Sequence, residues 1–289
     1  MKILLPLDGS QFAESALGVT ATLARRWQAE VDLVRVTAPI LTSAPELYPS
    51  LGHEFTQQAR DAAETYLKDL HGHFSGLIVH THSLLGSPKE QIAALAQELP
   101  GDLIVMASHG RGGFTRWLMG SNAEYVLRHT PCPLLLMRPP SDAAEICSGE
   151  FRNVLVPVDG SSAANEVVGK VAPYLAEGGK VTVLRASGLS ARDYTLLNSP
   201  TEINVYLQHL EDQTRQIVAP GLTVEHAVVD GEAAETILHY AHEHHCDLIA
   251  MSTHGRTGFR RFVLGSVTEK LSRQAACPVL AFPTHPPDQ

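Results

Sequence analysis

An internal repeat sets the strongest limit on how this chain can fold. Ile3-Leu-Leu-Pro-Leu-Asp-Gly-Ser10 returns as Val154-Leu-Val-Pro-Val-Asp-Gly-Ser161. Asp102-Leu-Ile-Val-Met-Ala-Ser-His-Gly-Arg-Gly-Gly-Phe114 returns as Asp247-Leu-Ile-Ala-Met-Ser-Thr-His-Gly-Arg-Thr-Gly-Phe259. Both copies then reach Gly-Ser (Gly120-Ser121; Gly265-Ser266) and close on Cys132-Pro-Leu-Leu-Leu or Cys277-Pro-Val-Leu-Ala. The offset is 151 at Asp8/Asp159 and 145 from Gly86/Gly231 onward, which places the difference in the middle of the repeat, in a loop shortened in the second copy. A period of this length far exceeds solenoid repeats, so each copy is expected to bury a core of its own.

The expected domains are residues 1–140 and 151–283, joined by a linker at 141–150 and followed by a tail at 284–289. The linker region, Pro139-Pro-Ser-Asp-Ala-Ala-Glu-Ile-Cys-Ser-Gly-Glu150, is rich in Pro, Ser, Gly and acids. In the first copy, apolar runs predict strands near 2–7, 31–36, 77–83, 102–107 and 133–138. Helical spacing predicts helices near 11–28, 54–71, 88–99 and 121–129. The strands are nearly continuous in Val, Leu and Ile, as expected when helices cover both faces of a parallel sheet. The fold class is therefore α/β, with two tandem doubly wound five-stranded parallel sheets of Rossmann-like type. Ligands of such sheets sit beyond the C-terminal strand ends.

The chemistry points to those ends. Ala107-Ser-His109-Gly110 follows the fourth strand, and nine residues later Gly120-Ser121 opens a helical pattern; the second copy has Ser252-Thr-His254-Gly255 and, after nine residues, Gly265-Ser266. A helix start offers unpaired N–H groups and the positive end of the dipole to a phosphate, and glycine lets the backbone approach it. Arg111, Arg116, Arg256 and Arg260 add positive charge. A ligand-free account stands beside this one: Ser121…Glu124 and Ser266…Glu269 also read as capping boxes, and the glycines as tight turns.

Taken together, Asp-Gly-Ser after the first strand, Met-x-x-His-Gly-Arg-x-Gly after the fourth, and Gly-Ser before the last helix resemble the universal stress protein family, twice over, as a tandem-domain member. The family's ATP-binding branch carries Gly-x-x-Gly, nine residues, then Gly-Ser or Gly-Thr; here Ala107 and Ser252 stand at its first glycine. The resemblance implies an adenine nucleotide fold and ATP, with Mg2+, lying across the strand ends of each domain. Adenine would meet Val36 or Ala186 and the backbone at Met106 or Met251. Asp8 and Asp159, after Leu7 and Val158, would lie near ribose or a phosphate-bound cation; as turn or N-cap aspartates they need no ligand. Gly86 and Gly231 end the third strand. Gly110, Arg111, Gly120, Ser121 and Asn122, with Gly255, Arg256, Gly265, Ser266 and Val267, would surround the phosphates. The resemblance also implies pairing of the two domains about a pseudo-twofold through their last strands, dimerisation of the chain, a stress-response role and a protein partner.

The remaining features narrow the class. A formal charge of −9 opposes any general attraction to nucleic acid or anionic membrane. No run approaches a membrane span, and a cytoplasmic location is expected. The four cysteines show no CxxC pair, and Cys132 and Cys277, at matching positions before a proline, read as reduced core thiols. His239, His242, His245 and Cys246 fall at helical spacing that suits zinc or nickel, but such a run more often marks a solvated helix end. A dedicated hydrolase lacks support, since neither loop holds a P-loop lysine or an acid to position a nucleophile. The alternatives to a nucleotide-binding regulator are an interaction module of the same fold without nucleotide and a slow ATP hydrolase.

Overall fold

In the computed structural model the described residues are 1–38, 49–99, 101–108, 119–138, 148–187, 200–215, 217–218, 221–253 and 264–284. They form two compact units, Met1–Gly149 and Glu150–Gln289. Unit 1 runs β1 (Lys2–Pro6), α1 (Gln11–Glu14), α2 (Ala16–Trp27), β2 (Glu30–Thr37), α3 (Pro49–Asp69), β3 (Val79–Leu85), α4 (Pro88–Glu98), β4 (Leu103–Ala107), α5 (Ser121–His129) and β5 (Leu134–Met137). Unit 2 repeats the pattern with β6 (Phe151–Pro157), α6 (Ser162–Lys170), β7 (Leu175–Ala186), α7 (Pro200–Arg215), β8 (Thr223–Val229), α8 (Ala233–Glu243), β9 (Leu248–Ser252), α9 (Ser266–Gln274) and β10 (Val279–Phe282).

Within unit 1 the strand order is β3-β2-β1-β4-β5, and within unit 2 it is β8-β7-β6-β9-β10. Among the described residues the strands inside each unit pair in parallel. Each sheet is thus doubly wound, with its switch in direction between the first and fourth strands. Ile3, Leu5, Val31, Leu33, Leu103, Ile104 and Val105 are fully buried, because helices cover both faces. The expected helix over 11–28 is broken instead at Ser15, which caps α1 and precedes α2. Gln28 ends α2 in the left-handed conformation (φ 52°).

The strand register also corrects the placement of the length difference. Val31 pairs with Val79 as Val181 pairs with Val224, so Val36 corresponds to Ala186, an offset of 150 between the 151 and 145 read at the flanking motifs. One residue is therefore lost between the first two strands and five before the third. The first loss accompanies a register irregularity between Phe151 and Asn153, where β6 meets a lengthened β7.

The edges of the two sheets carry the same diagonal pairs with different charges. In unit 1, His80 on β3 bonds Glu30 on β2 at 3.1 Å, and His82 bonds the buried Asp32 at 2.7 Å. In unit 2 the first pair becomes Lys180 and Glu225 at 2.8 Å. The second becomes Thr182 and Ala227, an uncharged pair. Two motif aspartates serve at the opposite end of the strands. Asp102 accepts the backbone N–H of Lys2 at 2.8 Å, and Asp247 those of Arg152 at 2.7 Å and Asn153. No described helix is long and apolar enough to cross a membrane.

Candidate functional site

At the C-terminal end of each sheet the repeated residues reach matching positions. Leu7 and Val158 extend the first strand by one bond each, donating to Val34 O (2.7 Å) and Leu184 O (2.8 Å), and both are buried. Asp8 and Asp159 follow in a tight turn through Gly9 (φ 78°) and Gly160 (φ 85°). The Asp8 carboxylate accepts the Ser10 N–H at 2.9 Å and its hydroxyl at 2.6 Å, and Asp159 does the same with Ser161. Ser10 and Ser161 in turn cap α1 and α6. The aspartates are turn residues, and the serines hold the N-cap.

Val36 and Ala186 lie at the ends of β2 and β7. Gly86 (φ 133°) and Gly231 (φ 135°) end the neighbouring strands in a conformation open to glycine alone. Added Cβ atoms would stand 3.1 Å from Gln91 Nε2 and 2.5 Å from Thr236 Oγ1. Met106, Ala107, Met251 and Ser252 are buried in β4 and β9.

The helices that follow differ from the sequence expectation. Gly120 and Gly265, not the serines, are the N-caps of α5 and α9, and among the described residues no side chain caps either helix. Ser121 and Ser266 are the first helical residues, so the capping-box reading is corrected. Glu124 and Glu269 face forward along their helices, pairing with Arg128 at 2.7 Å and Arg273 at 2.9 Å. The first amides bonded within the helices are those of Glu124 and Glu269, to Gly120 O and Gly265 O. Among the described residues nothing accepts the N–H groups of Ser121, Asn122 and Ala123, or of Ser266, Val267 and Thr268. Three donors at a dipole's positive end, behind a residue with no side chain, suit an anion.

His109, Gly110, Arg111, Arg116, His254, Gly255, Arg256 and Arg260 lie outside the described residues. The structure adds residues that the motif reading passed over. Ser108 and Thr253, both buried, accept the N–H of Gly120 (2.7 Å) and Gly265 (3.1 Å) through their carbonyls, closing the neck of each loop. They were legible only as the variable positions inside the motif. Thr268 donates its buried hydroxyl to Ser252 O (3.2 Å) and Thr253 O (3.3 Å). Its counterpart in unit 1 is Ala123.

Among the described residues no group of three or more His, Cys, Asp or Glu side chains is placed to hold a metal ion. His244 caps α8 and stacks on Tyr240 at 3.8 Å, His242 pairs with Glu243, and Cys246 is buried. Burial pushes the Cys246 thiol up to about 11. Tyr125 stacks on His129 at 3.9 Å beneath the Lys89 ammonium, a packing role. The equivalent helix contact in unit 2 carries its cation on the other partner. Lys270 on α9 reaches Glu232, the N-cap of α8, and Glu235 in its first turn, both at 3.2 Å.

Comparison with known proteins matches this arrangement. The model of the "Universal stress protein family" matches residues 1–138 and again 150–283. A universal stress protein of Methanocaldococcus jannaschii is 31% identical over 149 residues, 48% of this chain and 82% of that protein. A Staphylococcus haemolyticus protein described under the same family name is 32% identical over 158 residues, 52% of this chain and 94% of that one. Among solved structures, a universal stress protein from Archaeoglobus fulgidus shares the fold over 98% of both chains, with a TM-score of 0.70 at 21% identity.

Proposed function

Starting from a chain that belongs to the universal stress protein family and carries two of its domains in tandem, we propose that this stress-response protein is a regulator that binds ATP in one or both domains. The observation that carries this reading is the pair of helix starts at Gly120 and Gly265. Each lies at the C-terminal edge of a parallel sheet, has no capping side chain among the described residues, and faces the strand end from which the glycine-rich loop departs.

The residues present fit a nucleotide. Amides of Ser121, Asn122, Ser266 and Val267 would hold phosphate oxygens, and Val36 or Ala186 with the Met106 or Met251 backbone would border adenine. The serine-fixed carboxylates of Asp8 and Asp159 would meet ribose or a phosphate-bound magnesium ion. Ala107 and Ser252, in place of the motif's first glycine, are small residues. Cellular ATP is near millimolar, so even a site of micromolar affinity, about −8 kcal/mol, would stay occupied.

The test is to denature freshly purified protein, identify released nucleotide by liquid chromatography and count moles per chain. Two ATP per chain support both sites. One shows that a departure from the motif silences a domain. No nucleotide, and no uptake when millimolar ATP and magnesium are added, refutes the proposal and favours a nucleotide-free interaction module. ADP formed by the washed protein from added ATP would point instead to slow hydrolysis.

A further inference from the structure

The turn that carries Asp8 is fastened in unit 1 by a side chain of α3. We infer that Tyr66 is a positioning residue for the ATP site of unit 1, acting through Glu14 to hold that turn. The inference rests on the nucleotide reading above and adds a residue to it.

Tyr66 stands on α3, which buries Ala63 and Leu67 on its inner face. Its hydroxyl donates to Glu14 Oε1 at 2.9 Å, and the Arg35 guanidinium lies 4.4 Å from its ring centroid. Burial, and then the bond to Glu14, push the Tyr66 hydroxyl well above its ordinary pKa, so it remains a donor. Glu14 is the last residue of α1, a helix of a single turn whose N-cap is Ser10. Ser10 is also the residue whose amide and hydroxyl hold the Asp8 carboxylate, at 2.9 Å and 2.6 Å. A single helical turn is unstable alone, because nucleation fixes many dihedrals for few bonds. Tying its last residue to the 21-residue α3 therefore steadies its cap, and with the cap the carboxylate. Arg35 directly precedes Val36 on β2, so the same ring also touches the strand that would border adenine.

Unit 2 holds its copy of the turn differently. There α6 runs unbroken from Ser162 to Lys170 behind the equivalent cap, Ser161. The repeat puts Asn165 where unit 1 has Glu14. Asn165 is 8% exposed, and among the described residues its amide oxygen accepts no hydrogen bond. A longer helix thus replaces the side-chain tie.

The consequence for binding is pre-organisation. A carboxylate already in place loses less freedom when it meets ribose or a phosphate-bound cation, and the difference appears as affinity. One net hydrogen bond corresponds to about a threefold to tenfold change in a binding constant.

The experiment uses the full chain, freed of nucleotide, titrated calorimetrically with ATP and magnesium as wild type, Tyr66→Phe, Glu14→Gln and Glu14→Ala. Amide exchange at Ser10 and Ser161 is followed in parallel without ATP, Ser161 serving as the control within the same molecule. Tyr66→Phe should weaken one ATP site by about fivefold and speed exchange at Ser10 but not at Ser161. Glu14→Gln keeps an oxygen that accepts the phenol, so it should hold exchange at Ser10 within about twofold and not weaken ATP binding. Unchanged exchange at Ser10 in Tyr66→Phe, equal acceleration at Ser161, or faster exchange at Ser10 with unchanged ATP affinity would each overturn the inference. So would a Glu14→Gln chain as impaired as Tyr66→Phe. All four results leave the nucleotide reading standing, whereas absence of any ATP uptake in the wild type overturns both. If Tyr66→Phe does not fold, Glu14→Ala decides by the same two measurements.

Discussion

Replacing Gly231 by alanine should damage the protein more than the same change at Gly86, although the two glycines share one conformation. Each has φ near +135° (133° and 135°), where an L side chain is strained by about 1–3 kcal/mol. The difference lies in what the new methyl meets. At Gly86 it would stand 3.1 Å from the amide end of Gln91, a long side chain able to swing aside. At Gly231 it would stand 2.5 Å from Thr236 Oγ1, part of a buried, β-branched residue in the first turn of α8. Overpacking there adds about 1–3 kcal/mol. Gly231→Ala should therefore cost about 2–6 kcal/mol and Gly86→Ala about 1–3. Thr236→Ala in the Gly231→Ala background should recover the clash and leave the strain. Urea melts measure this directly. Trp27 and Trp117, the chain's two tryptophans, both lie within unit 1, so fluorescence follows that unit while far-UV circular dichroism follows both. Equal costs at the two glycines within about 0.5 kcal/mol, or no recovery with Thr236→Ala, would refute the argument from contact distance.

Two further outcomes follow from the electrostatics. Because burial raises the Cys246 thiol to about 11, its contribution to stability is full below the ordinary thiol range and is lost as pH rises through about 11. Urea midpoints for unit 2 should fall over that window and Cys246→Ser should flatten the fall, while native iodoacetamide labelling at pH 8 should spare Cys246. The Glu232 carboxylate accepts the amides of Glu235 and Ala234 and pairs with Lys270, which holds it below the usual carboxylate range. Its contribution is full at neutral pH and lost as pH falls through that lowered value. Glu232→Ala should cost about 1 kcal/mol in a thermal melt at pH 7 and less at pH 3.

Much of this architecture was legible because its signals are local. Apolar runs such as Ile3–Leu5 and Leu103–Met106 can satisfy burial on both faces only as interior parallel strands, and the repeat supplied each reading twice. The break at Ser15 was not legible, since Gln11–Trp27 keeps helical composition throughout and the cap that divides it is a backbone geometry. The capping boxes failed for a related reason. Gly-Ser-x-x-Glu fits a cap at either residue, and only the chain's direction into the helix assigns it to glycine. The candidate residues Asp8, Gly86 and Gly120, with their twins, could be located in the fold because strand ends fix their positions. Thr268 could not: its partners are carbonyls fifteen and sixteen residues earlier, a relation with no sequence signature. The histidine run falls at a helix end, the commoner reading of such spacing: α8 ends at Glu243, and His245 turns left-handed (φ 50°).

The altered charges on the sheet edges bear on how such a chain sorts its own strands. Two copies of one fold on one chain give every strand two nearly matching places to pair, and exchange between repeats is a characteristic misfolding route. Were β8 to take the place of β3, Glu225 would be set against Glu30, and Asp32 would be left buried beside Ala227 without its histidine. Were β3 to take the place of β8, His80 would face Lys180 in place of a carboxylate. Three of the four correct pairs join complementary groups and the exchanged strands remove them, so the divergence at these edges favours each strand finding its own sheet.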